Sequence, residues 1–308
     1  ATHAADGYAR STGKVGVAIV TSGPGTTNTI TGIATAYADS IPIVVFTGQV
    51  PLNLLGKNSF QEVNTKSITD SITKKNYIVD KPENLPTIVR EAFKVAASGR
   101  PGPVVVDIPK DIQTAEVEYK PSRSKLSEIK EKKYFNLDEY GDNLNKAVDM
   151  INKSERPVIY SGGGTVTSGA QDELMELVEK TDSPITCSLM GIGAFPGNNE
   201  YYMGMIGMHG SRCSNYAVSN CDLLIAIGAR FSDRVISKVS AFAPKAKIIH
   251  IDIDPKEFGK NVDIDVPIKG DVKEVLQELN CKLKKANHGD WMEKIKQWKS
   301  EQREPFKE

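Results

Sequence analysis

The residues best placed for chemistry lie in turns that follow short apolar runs. The segment SGPGTTN, residues 22–28, follows such a run at residues 15–21 and sets two glycines around a proline ahead of a helical stretch. A turn of this kind lets the backbone approach a ligand closely, and the amides at a helix start favour a polar or anionic group. The segment lacks the lysine and the spacing of a Walker loop. Its spacing alone leaves two interpretations open, a ligand-binding turn and a simple tight turn.

A second group of candidate residues lies in the other half of the chain. Asp252 and Asp254 end one apolar run, where carboxylates can accept hydrogen bonds from ribose or adenine groups. Gly228 and Arg230 end another run, and the arginine offers a cation to a phosphate. The glycines at 162–164 do not form GxGxxG, so the usual dinucleotide fingerprint is missing.

Other kinds of site find little support in the sequence. No His, Cys or Asp cluster has metal-ligand spacing. No Ser-His-Asp or Cys-His arrangement stands out. His209 alone is more typical of a hydrogen-bonded structural histidine than of a catalytic one.

A parallel sheet is the element that must position the first group of turns. Near-continuous apolar runs predict three strands, at residues 15–21, 43–46 and 104–108. The first strand is expected to be buried on both faces, and residues 47–49 to close the second. Helical spacing predicts two helices, at residues 29–38 and 85–97, and the first ten residues read as part of another helix. The alternation of strands and helices predicts a parallel sheet with crossover helices.

The second half of the chain has the same character. Its predicted strands lie at residues 158–161, 185–188, 223–228, 247–253 and 267–268. Its predicted helices lie around residues 144–151 and 171–179. The overall prediction is an α/β fold with two open, mostly parallel sheets, in which ligands bind outside the carboxyl ends of the strands.

Two segments are predicted to be linkers. Residues 119–140 are rich in Lys, Glu and Ser with few periodic apolar positions, which predicts an exposed interdomain linker; a solvated helix packed on the first domain is the alternative. The domains are then expected at residues 1–118 and 141–284. Residues 285–308 are expected to begin a second linker, because Trp291, Ile295 and Trp298 have the spacing of an amphipathic helix without a body to pack on.

Composition excludes some classes of partner. Lys and Arg number 39, as do Asp and Glu, so the formal net charge is zero and no footprint for nucleic acid or an anionic membrane is present. No apolar run reaches the roughly 20 residues of a membrane span. The four cysteines show no CxxC spacing and are expected to be reduced thiols in a reducing compartment, the cytoplasm: Cys187, Cys213, Cys221 and Cys281.

Seven segments along the chain carry a resemblance to a known family. They are ADGYAR (5–10), TSGPGTTN (21–28), TGQVP (47–51), FQE (60–62), SGRPGPVVVDIPKD (98–111), GMHG (207–210) and DIDP (252–255). In this order they resemble the large, catalytic subunits of the acetolactate synthase family of thiamine-diphosphate enzymes. The resemblance spans nearly the whole chain. It implies a truncated thiamine-diphosphate pyrimidine-type domain followed by a Rossmann-like FAD-binding domain.

In the first domain, the resemblance assigns roles to single residues. Pro24 and Asn28 match positions that line thiamine diphosphate, and Gln61 matches a glutamine beside the reacting carbon. Residues of the substrate channel are matched by Pro51, Phe60 and Lys110. The implied catalytic candidates are Gln61, Lys110 and Phe60, with Lys110 able to favour a pyruvate carboxylate. Outside this context, Phe60 would be more typical of a core residue, Pro51 of a turn residue and Lys110 of a surface cation.

In the second domain, the resemblance implies two FAD-contacting segments, residues 209–230 and 252–271. The implied cofactor-binding positions are His209, Gly210, Gly228, Arg230, Asp252, Asp254 and Asp271. Arg100 matches a flavin-contacting arginine that reaches the cofactor from the first domain. FAD has no net redox role in the family's reaction, so a structural or ancestral role is implied.

The resemblance also implies an activity. Such enzymes decarboxylate pyruvate on thiamine diphosphate and join the hydroxyethyl unit to a second 2-keto acid, giving 2-acetolactate or 2-aceto-2-hydroxybutyrate for branched-chain amino acid synthesis. The implied partners are pyruvate, 2-ketobutyrate, a regulatory small subunit and further catalytic subunits in a homodimer or homotetramer. Pyruvate oxidase and glyoxylate carboligase are flavin-using alternatives. A non-catalytic nucleotide-binding module is an alternative of another class.

Two parts of the family's catalytic apparatus are expected outside these 308 residues, so the chain resembles an internal fragment. The activating glutamate is expected just before Ala1, and the domain that holds the diphosphate and Mg²⁺ after the last residue. We therefore expect the 308-residue polypeptide to show no turnover of pyruvate with thiamine diphosphate and Mg²⁺ in an acetolactate assay. Product above the level of a protein-free blank would contradict this expectation.

Overall fold

The computed structural model describes residues 1–118 and 134–301. The chain divides into two compact units, Ala1–Lys130 and Glu131–Glu308. Most of the predicted linker at 119–140 lies outside the described residues. For residues 137–140 the prediction of a linker is wrong, because these residues form the start of a helix that begins at Leu137. No helix among the described residues combines the length and the apolar character that a membrane crossing requires.

The first unit alternates strands and helices as predicted. Its strands are β1 (Gly16–Val20), β2 (Ile43–Gln49), β3 (Lys75–Ile78) and β4 (Val104–Pro109). Its α-helices are α1 (Thr2–Thr12), α2 (Pro24–Thr27), α3 (Ile30–Asp39), α4 (Thr65–Thr69), α5 (Leu85–Ala97) and α6 (Lys110–Thr114). The predicted strands and helices of this half are confirmed with small shifts at their ends. One shift matters, because residues 47–49 continue β2 rather than close it.

The four strands of this unit form one parallel sheet in the order β1-β2-β4-β3. The central strands β2 and β4 are almost wholly buried, as their runs of Val and Ile require. Separate apolar clusters cover the two faces: Ala5, Ala9 and Ile33 belong to one, Ala92 and Ala96 to the other.

The prediction that β1 is buried on both faces is wrong. Val17 is 44% and Ile19 76% exposed, whereas Ala18 is buried. Successive residues of a strand point to opposite faces, and β1 lies at the edge of the sheet. Its Gly16 side is closed by α1, because a Cβ on Gly16 would lie 2.1 Å from the Ala5 carbonyl oxygen.

The second unit is a larger α/β unit. Its strands are β5 (Pro157–Ser161), β6 (Ile185–Cys187), β7 (Tyr202–Met205), β8 (Leu223–Ile227), β9 (Lys247–Asp252) and β10 (Val266–Lys269). Its α-helices are α7 (Leu137–Lys153), α8 (Gly163–Ser168), α9 (Gln171–Thr181), α10 (Arg212–Asn220), α11 (Asp233–Ile236), α12 (Val272–Lys282) and α13 (Gly289–Glu301). All five predicted strands are present.

The six strands of the second unit are parallel in the order β10-β9-β8-β5-β6-β7. The chain starts at β5, builds outward to β7, and then returns to build outward from β8 on the other side of β5. This is the doubly wound order, and its switch point lies between β5 and β8. Ligands of such sheets bind outside the carboxyl ends of the strands at the switch point.

Helix α13 packs on the second unit, so the prediction of a helix without a body to pack on is wrong. Trp291 and Ile295 are buried in the same apolar cluster as β5 and β8 side chains. The indole Nε1 of Trp291 donates to the Pro157 carbonyl at 3.0 Å. Residues 289–301 are therefore part of this unit's core rather than the start of a linker.

We expect Trp291→Ala to lower the free energy of unfolding by about 3–5 kcal/mol, because it removes a buried indole and leaves a cavity. The measurement is urea unfolding followed by far-UV circular dichroism. Glu293→Ala, at an exposed position of the same helix, is the control and should change stability little. A Trp291→Ala protein as stable as this control would contradict the packing of α13.

Candidate functional site

The turn at residues 21–28 joins β1 to α3 through the short helix α2. Gly23 has a φ of 58°, in the left-handed region that favours glycine. Pro24 begins α2, and Asn28 follows it with its backbone N–H donating to the Pro24 carbonyl. Both Pro24 and Asn28 are exposed, whereas Thr26 is buried and its hydroxyl donates to the Thr21 carbonyl at 3.1 Å. The buried threonine anchors a turn whose predicted ligand-lining residues face outward.

Gln61 lies against this turn. A Cβ placed on Gly23 would be 2.7 Å from the Gln61 carbonyl oxygen and 2.9 Å from the Gln61 Cβ. Only glycine therefore fits at position 23. Gln61 has a φ of 58°, a conformation that is uncommon for a residue with a side chain. Two predicted site segments that are distant in the sequence thus touch, and Phe60 beside them is 89% exposed.

Glu62 fixes the shape of the loop that carries Phe60 and Gln61. Its carboxylate accepts the backbone N–H groups of Gly56 and of Ser59, the latter at 3.0 Å. These hydrogen bonds, that from Gly56 most strongly, lower the pKa of Glu62. An ionised Glu62 therefore closes the loop from within.

Pro51 and Lys110 follow two neighbouring strands of the sheet. Gln49 at the end of β2 is in register with Pro109 at the end of β4. Both carboxylate oxygens of Asp111 lie 3.2 Å from the backbone N of Leu52, which donates to them. Strand pairing and this hydrogen bond place the two predicted channel residues at one edge of the sheet, with Lys110 exposed.

Asp107, a buried carboxylate at this edge, was not among the residues predicted from the sequence. It is 2% exposed and accepts hydrogen bonds from the Thr47 hydroxyl and, at 3.0 Å, from the Gln49 amide. Burial raises the pKa of Asp107, and the hydrogen bonds partly oppose that rise. The available signal was an acid inside the apolar run VVVDIP, since such residues are almost never fully buried unless paired.

Arg100 makes a contact within the first unit. Its Nε donates to the hydroxyl of Ser40 at 2.8 Å. Ser40 ends α3 in the left-handed conformation, with a φ of 61°. Arg100 thus ties the turn after α5 to the end of α3, a packing role that exists beside any contact with a flavin.

Three glycines pack against one another at the switch point of the second unit. A Cβ on Gly162 would lie 2.2 Å from the Gly228 carbonyl oxygen, and one on Gly164 would lie 2.7 Å from the Gly228 Cα. The Gly164 N–H donates to the Gly228 carbonyl at 2.9 Å. The ends of β5 and β8 therefore approach each other more closely than side chains at positions 162 and 164 would allow.

His250 holds the turn that contains Gly228 and Arg230. It is fully buried on β9, with Nε2 lying 2.9 Å from the Ala229 carbonyl oxygen, so the ring donates there. Phe231 and Phe258 pack edge-on against the imidazole at 5.1 and 5.2 Å between ring centroids. Burial lowers the pKa of His250 to about 4, so the ring is neutral near pH 7.

The predicted acidic ligands lie at or after the ends of β9 and β10. Asp252 is 8% exposed, and its Oδ1 accepts the backbone N–H of Asp254 at 2.8 Å. The carbonyl of Ile251 accepts the Gly228 N–H at 2.8 Å, which brings the ends of β8 and β9 together. Asp254 accepts the N–H of Lys256 at 3.1 Å. Asp252 therefore lies beside the glycine contact, at the carboxyl edge of the sheet.

Asp271 has a local role as the N-cap of α12. Its Oδ1 accepts the Lys273 N–H at 3.0 Å and the Ser168 hydroxyl at 2.5 Å. A capping carboxylate stabilises the first turn of a helix. This one also joins α8 to α12.

The GMHG segment forms a loop between β7 and α10 that is held by hydrogen bonds. The Asn215 side chain binds both the N–H and the carbonyl of Gly207, each at 3.1 Å. A Cβ on Gly207 would lie 2.4 Å from the Arg234 carbonyl oxygen, so the loop also packs closely on α11. His209 is exposed and Gly210 half-buried at the tip. The loop is held rigidly while its predicted site residues stay accessible.

The described residues contain no metal-binding cluster, and a groove in the second unit lies away from the predicted site residues. No group of three His, Cys, Asp or Glu residues in residues 1–118 and 134–301 is arranged to hold a metal ion. An open groove of about 1120 Å³ lies in the second unit, where Arg156 and Trp291 form part of its lining. None of the predicted site residues lines it.

Comparisons with family models define the class of protein. Residues 1–68 match the family described as "Thiamine pyrophosphate enzyme, N-terminal TPP binding domain". Residues 144–279 match "Thiamine pyrophosphate enzyme, central domain". The first match includes the Gly23–Gln61 contact, and the second includes the switch point. The chain belongs to the thiamine pyrophosphate enzymes.

Within that class the chain is homologous to acetolactate synthase large subunits. It is 49% identical over 302 residues to the "Probable acetolactate synthase large subunit" of Methanocaldococcus jannaschii, covering 96% of the chain and 50% of that protein. It is 42% identical over 315 residues to the "Acetolactate synthase isozyme 3 large subunit" of Escherichia coli K12, covering 98% of the chain and 54% of that protein. The chain thus spans about half the length of the curated relatives it matches.

We expect His250 to make the chain less stable in acid. In the unfolded chain a histidine takes up its proton near pH 6.5, whereas the folded pKa of His250 is about 4. Between these values only the unfolded state binds the proton, so the free energy of unfolding should fall by up to about 3 kcal/mol as the pH drops from 6.5 to 4. His250→Gln retains an amide donor near Ala229 and should flatten this fall in urea unfolding at several pH values.

His209→Gln, at an exposed histidine, is the matched control and should keep the wild-type pH profile. Parallel profiles for wild type and His250→Gln across this pH window would show that the assignment is wrong.

Proposed function

We propose that this chain forms part of an acetolactate synthase catalytic subunit. The proposed reaction removes CO₂ from pyruvate and joins the remaining two-carbon unit to a second 2-keto acid, giving 2-acetolactate or 2-aceto-2-hydroxybutyrate. The observation that carries the proposal is the contact of Gly23 with Gln61, which unites the SGPGTTN turn with the FQE segment. The likeness to large subunits over nearly the whole chain supports the same activity.

Features of the first unit support a thiamine diphosphate site there. Pro24 and Asn28 are exposed on the turn, so a ring can pack against them, while Gly23 beside them is covered by Gln61. When bound, thiamine diphosphate supplies the carbon nucleophile that takes up the 2-keto acid. Gln61, next to Gly23, is proposed to hydrogen-bond the reacting groups. Mg²⁺ is proposed as the companion of the diphosphate, without a ligand among the described residues.

Three residues at the same edge are proposed to admit the substrate. Lys110 is exposed, and its ammonium group can attract the carboxylate of a 2-keto acid. The exposed ring of Phe60 and the ring of Pro51 provide apolar surface for the methyl and methylene groups of the substrates. A cation beside an apolar surface matches pyruvate and 2-ketobutyrate, which combine a carboxylate with an alkyl group.

The second unit is proposed to be a Rossmann-like FAD-binding domain. Its doubly wound order, its glycine contact at the switch point and the adjacent Asp252 support this assignment. Gly228 and Arg230 would lie near the diphosphate, and the two carboxylates after β9 near the ribose or adenine. The remaining proposed contacts are Arg100, His209, Gly210, Asp254 and Asp271. The flavin has a structural role, since the proposed reaction involves no net redox change.

The domain limits and partners follow as part of the same proposal. We place the thiamine domain at 1–118 and the flavin domain at 141–284, to which the structure adds the start of α7 and helix α13. The proposed assembly is a homodimer or homotetramer of catalytic subunits with a regulatory small subunit.

The complete gene product should form acetolactate from pyruvate, with thiamine diphosphate, Mg²⁺ and FAD but without an electron acceptor. A colorimetric acetolactate assay measures the product. Formation of acetyl phosphate or hydrogen peroxide instead would identify a flavin-dependent oxidase and reject the proposal.

Asp252→Ala in the complete gene product should weaken FAD binding roughly tenfold or more, because the cofactor loses a charged hydrogen-bond acceptor. Quenching of flavin fluorescence in a titration gives the Kd. Asp290→Ala, at an exposed aspartate in the same unit, serves as the control. Equal FAD affinity in the wild type and Asp252→Ala would remove Asp252 from the site.

Lys110→Ala should raise the KM for pyruvate roughly tenfold, because a hydrogen bond to a charged group contributes about 1.5–3 kcal/mol. Steady-state kinetics of acetolactate formation measure the change. Lys66→Ala removes another exposed lysine of the first unit and should leave the kinetics unaltered. Wild-type kinetics in Lys110→Ala would exclude the proposed contact with the carboxylate.

A further inference from the structure

A buried hydrogen-bond chain connects the core of the first sheet to the loop that carries Phe60 and Gln61. Thr47 and Gln49 lie at the end of β2, and Thr47 is in register with Asp107 on β4. All three are buried, at 1%, 6% and 2% exposure. From this chain we propose that Gln49 and Asp107 are positioning residues that hold Gln61 in the geometry required at the active site. The catalytic part of this inference rests on the proposed carboligase function.

The Gln49 amide is the centre of the chain. Its Nε2 donates to the Val63 carbonyl at 2.9 Å and to Asp107 Oδ2 at 3.0 Å. Its Oε1 accepts the Val50 N–H at 2.9 Å. Asp107 Oδ1 accepts the Thr47 hydroxyl. One side chain on a central strand thus binds the carbonyl two residues after Gln61.

Backbone groups fix the orientation of this amide. A backbone N–H can only donate and a carbonyl can only accept, so Oε1 must face Val50 and Nε2 must face Val63. The second hydrogen of Nε2 then points to Asp107, which must present an acceptor. Removing that acceptor leaves a buried donor without a partner, which costs about 1–3 kcal/mol. Asp107 therefore stabilises the amide that reaches the loop.

The conformation of Gln61 requires such a support. A left-handed φ in a non-glycine residue costs roughly 1–2 kcal/mol and persists only where the surroundings enforce it. Gln61 has a φ of 58° and is packed against Gly23 on one side. On the other side, Glu62 binds the backbone of Gly56 and the Gln49 amide binds Val63. Release of Val63 removes one of the constraints and lets Gln61 relax away from Gly23.

Hydrogen exchange of the complete gene product tests the support without any reference to activity. The amides of Gly56, Ser59 and Glu62 are hydrogen-bonded inside the loop, so a peptide covering residues 56–63 reports its order. Gln49→Met removes the amide at nearly constant volume and should increase exchange in this peptide roughly tenfold, equivalent to about 1.4 kcal/mol of opening free energy. Exchange in residues 85–97, which form α5, should not change.

Matched variants separate the support from a general loss of stability. Gln171→Met makes the same substitution at an exposed glutamine of the second unit and should behave as wild type. Asp107→Asn should stay close to wild type, because its carbonyl can accept from Gln49 and the Thr47 hydroxyl can accept from its amide. Asp107→Leu should resemble Gln49→Met. If Gln49→Met does not fold, Gln49→Asn, which is polar but too short to span both partners, takes its place.

Two exchange results would overturn the proposal. One is wild-type exchange of residues 56–63 in Gln49→Met or in its replacement. The other is an equal rise of exchange in α5, which would mean that the amide stabilises the whole unit and does not position the loop.

Kinetics of acetolactate formation test the catalytic part. Gln49→Met should lower kcat roughly tenfold, because the reacting geometry is lost, and should raise the KM for pyruvate less than Lys110→Ala does, because Lys110 is untouched. Asp107→Asn should restore most of the loss seen in Asp107→Leu. An unchanged kcat in Gln49→Met would refute the positioning role. If the wild type makes no acetolactate, the proposed function fails, and the exchange experiment still decides whether the loop is held.

Discussion

Parallel strand pairing is the constraint on which both units depend. In a parallel sheet all strands end at the same edge, so segments that are distant in the sequence meet there. In the first unit this places Thr47 beside Asp107 and the SGPGTTN turn beside the FQE loop. In the second unit it places Gly162 against Gly228. Neither site is formed by one stretch of chain, which explains why the chemistry-bearing segments are separated by apolar runs.

The sequence was most informative where one residue type fills a whole element. Continuous Val and Ile runs predicted β2, β4, β8 and β9, because strands buried on both faces carry this signal irrespective of their neighbours. The strand β3, KNYI, was missed because it is short, begins with two polar residues and is partly exposed at an edge. The strand β7, YMGM, was missed because it is short and contains glycine, which is depleted in strands.

The remaining differences come from tertiary contacts that no local pattern contains. Val17 and Ile19 have the apolar character of a buried strand, but their exposure depends on β1 being at an edge. Whether α13 packs on the second unit depends on a contact with β5, where the Pro157 carbonyl accepts a hydrogen bond from Trp291. The residues that hold the candidate sites, Asp107 and His250, act from the core through other residues. Sequence motifs pointed to outward-facing residues as candidates, whereas of these two supports only Asp107 left a signal, as an acid inside an apolar run.

Both tryptophans of the chain, Trp291 and Trp298, lie on α13 with their rings 5.7 Å apart. Indole emission from this polypeptide therefore originates entirely in the second unit. A melting curve followed at wavelengths selective for indole therefore describes the second unit, while unfolding of the first unit gives no indole signal. Separate spectroscopic access to that first half requires a tryptophan introduced on its own sheet.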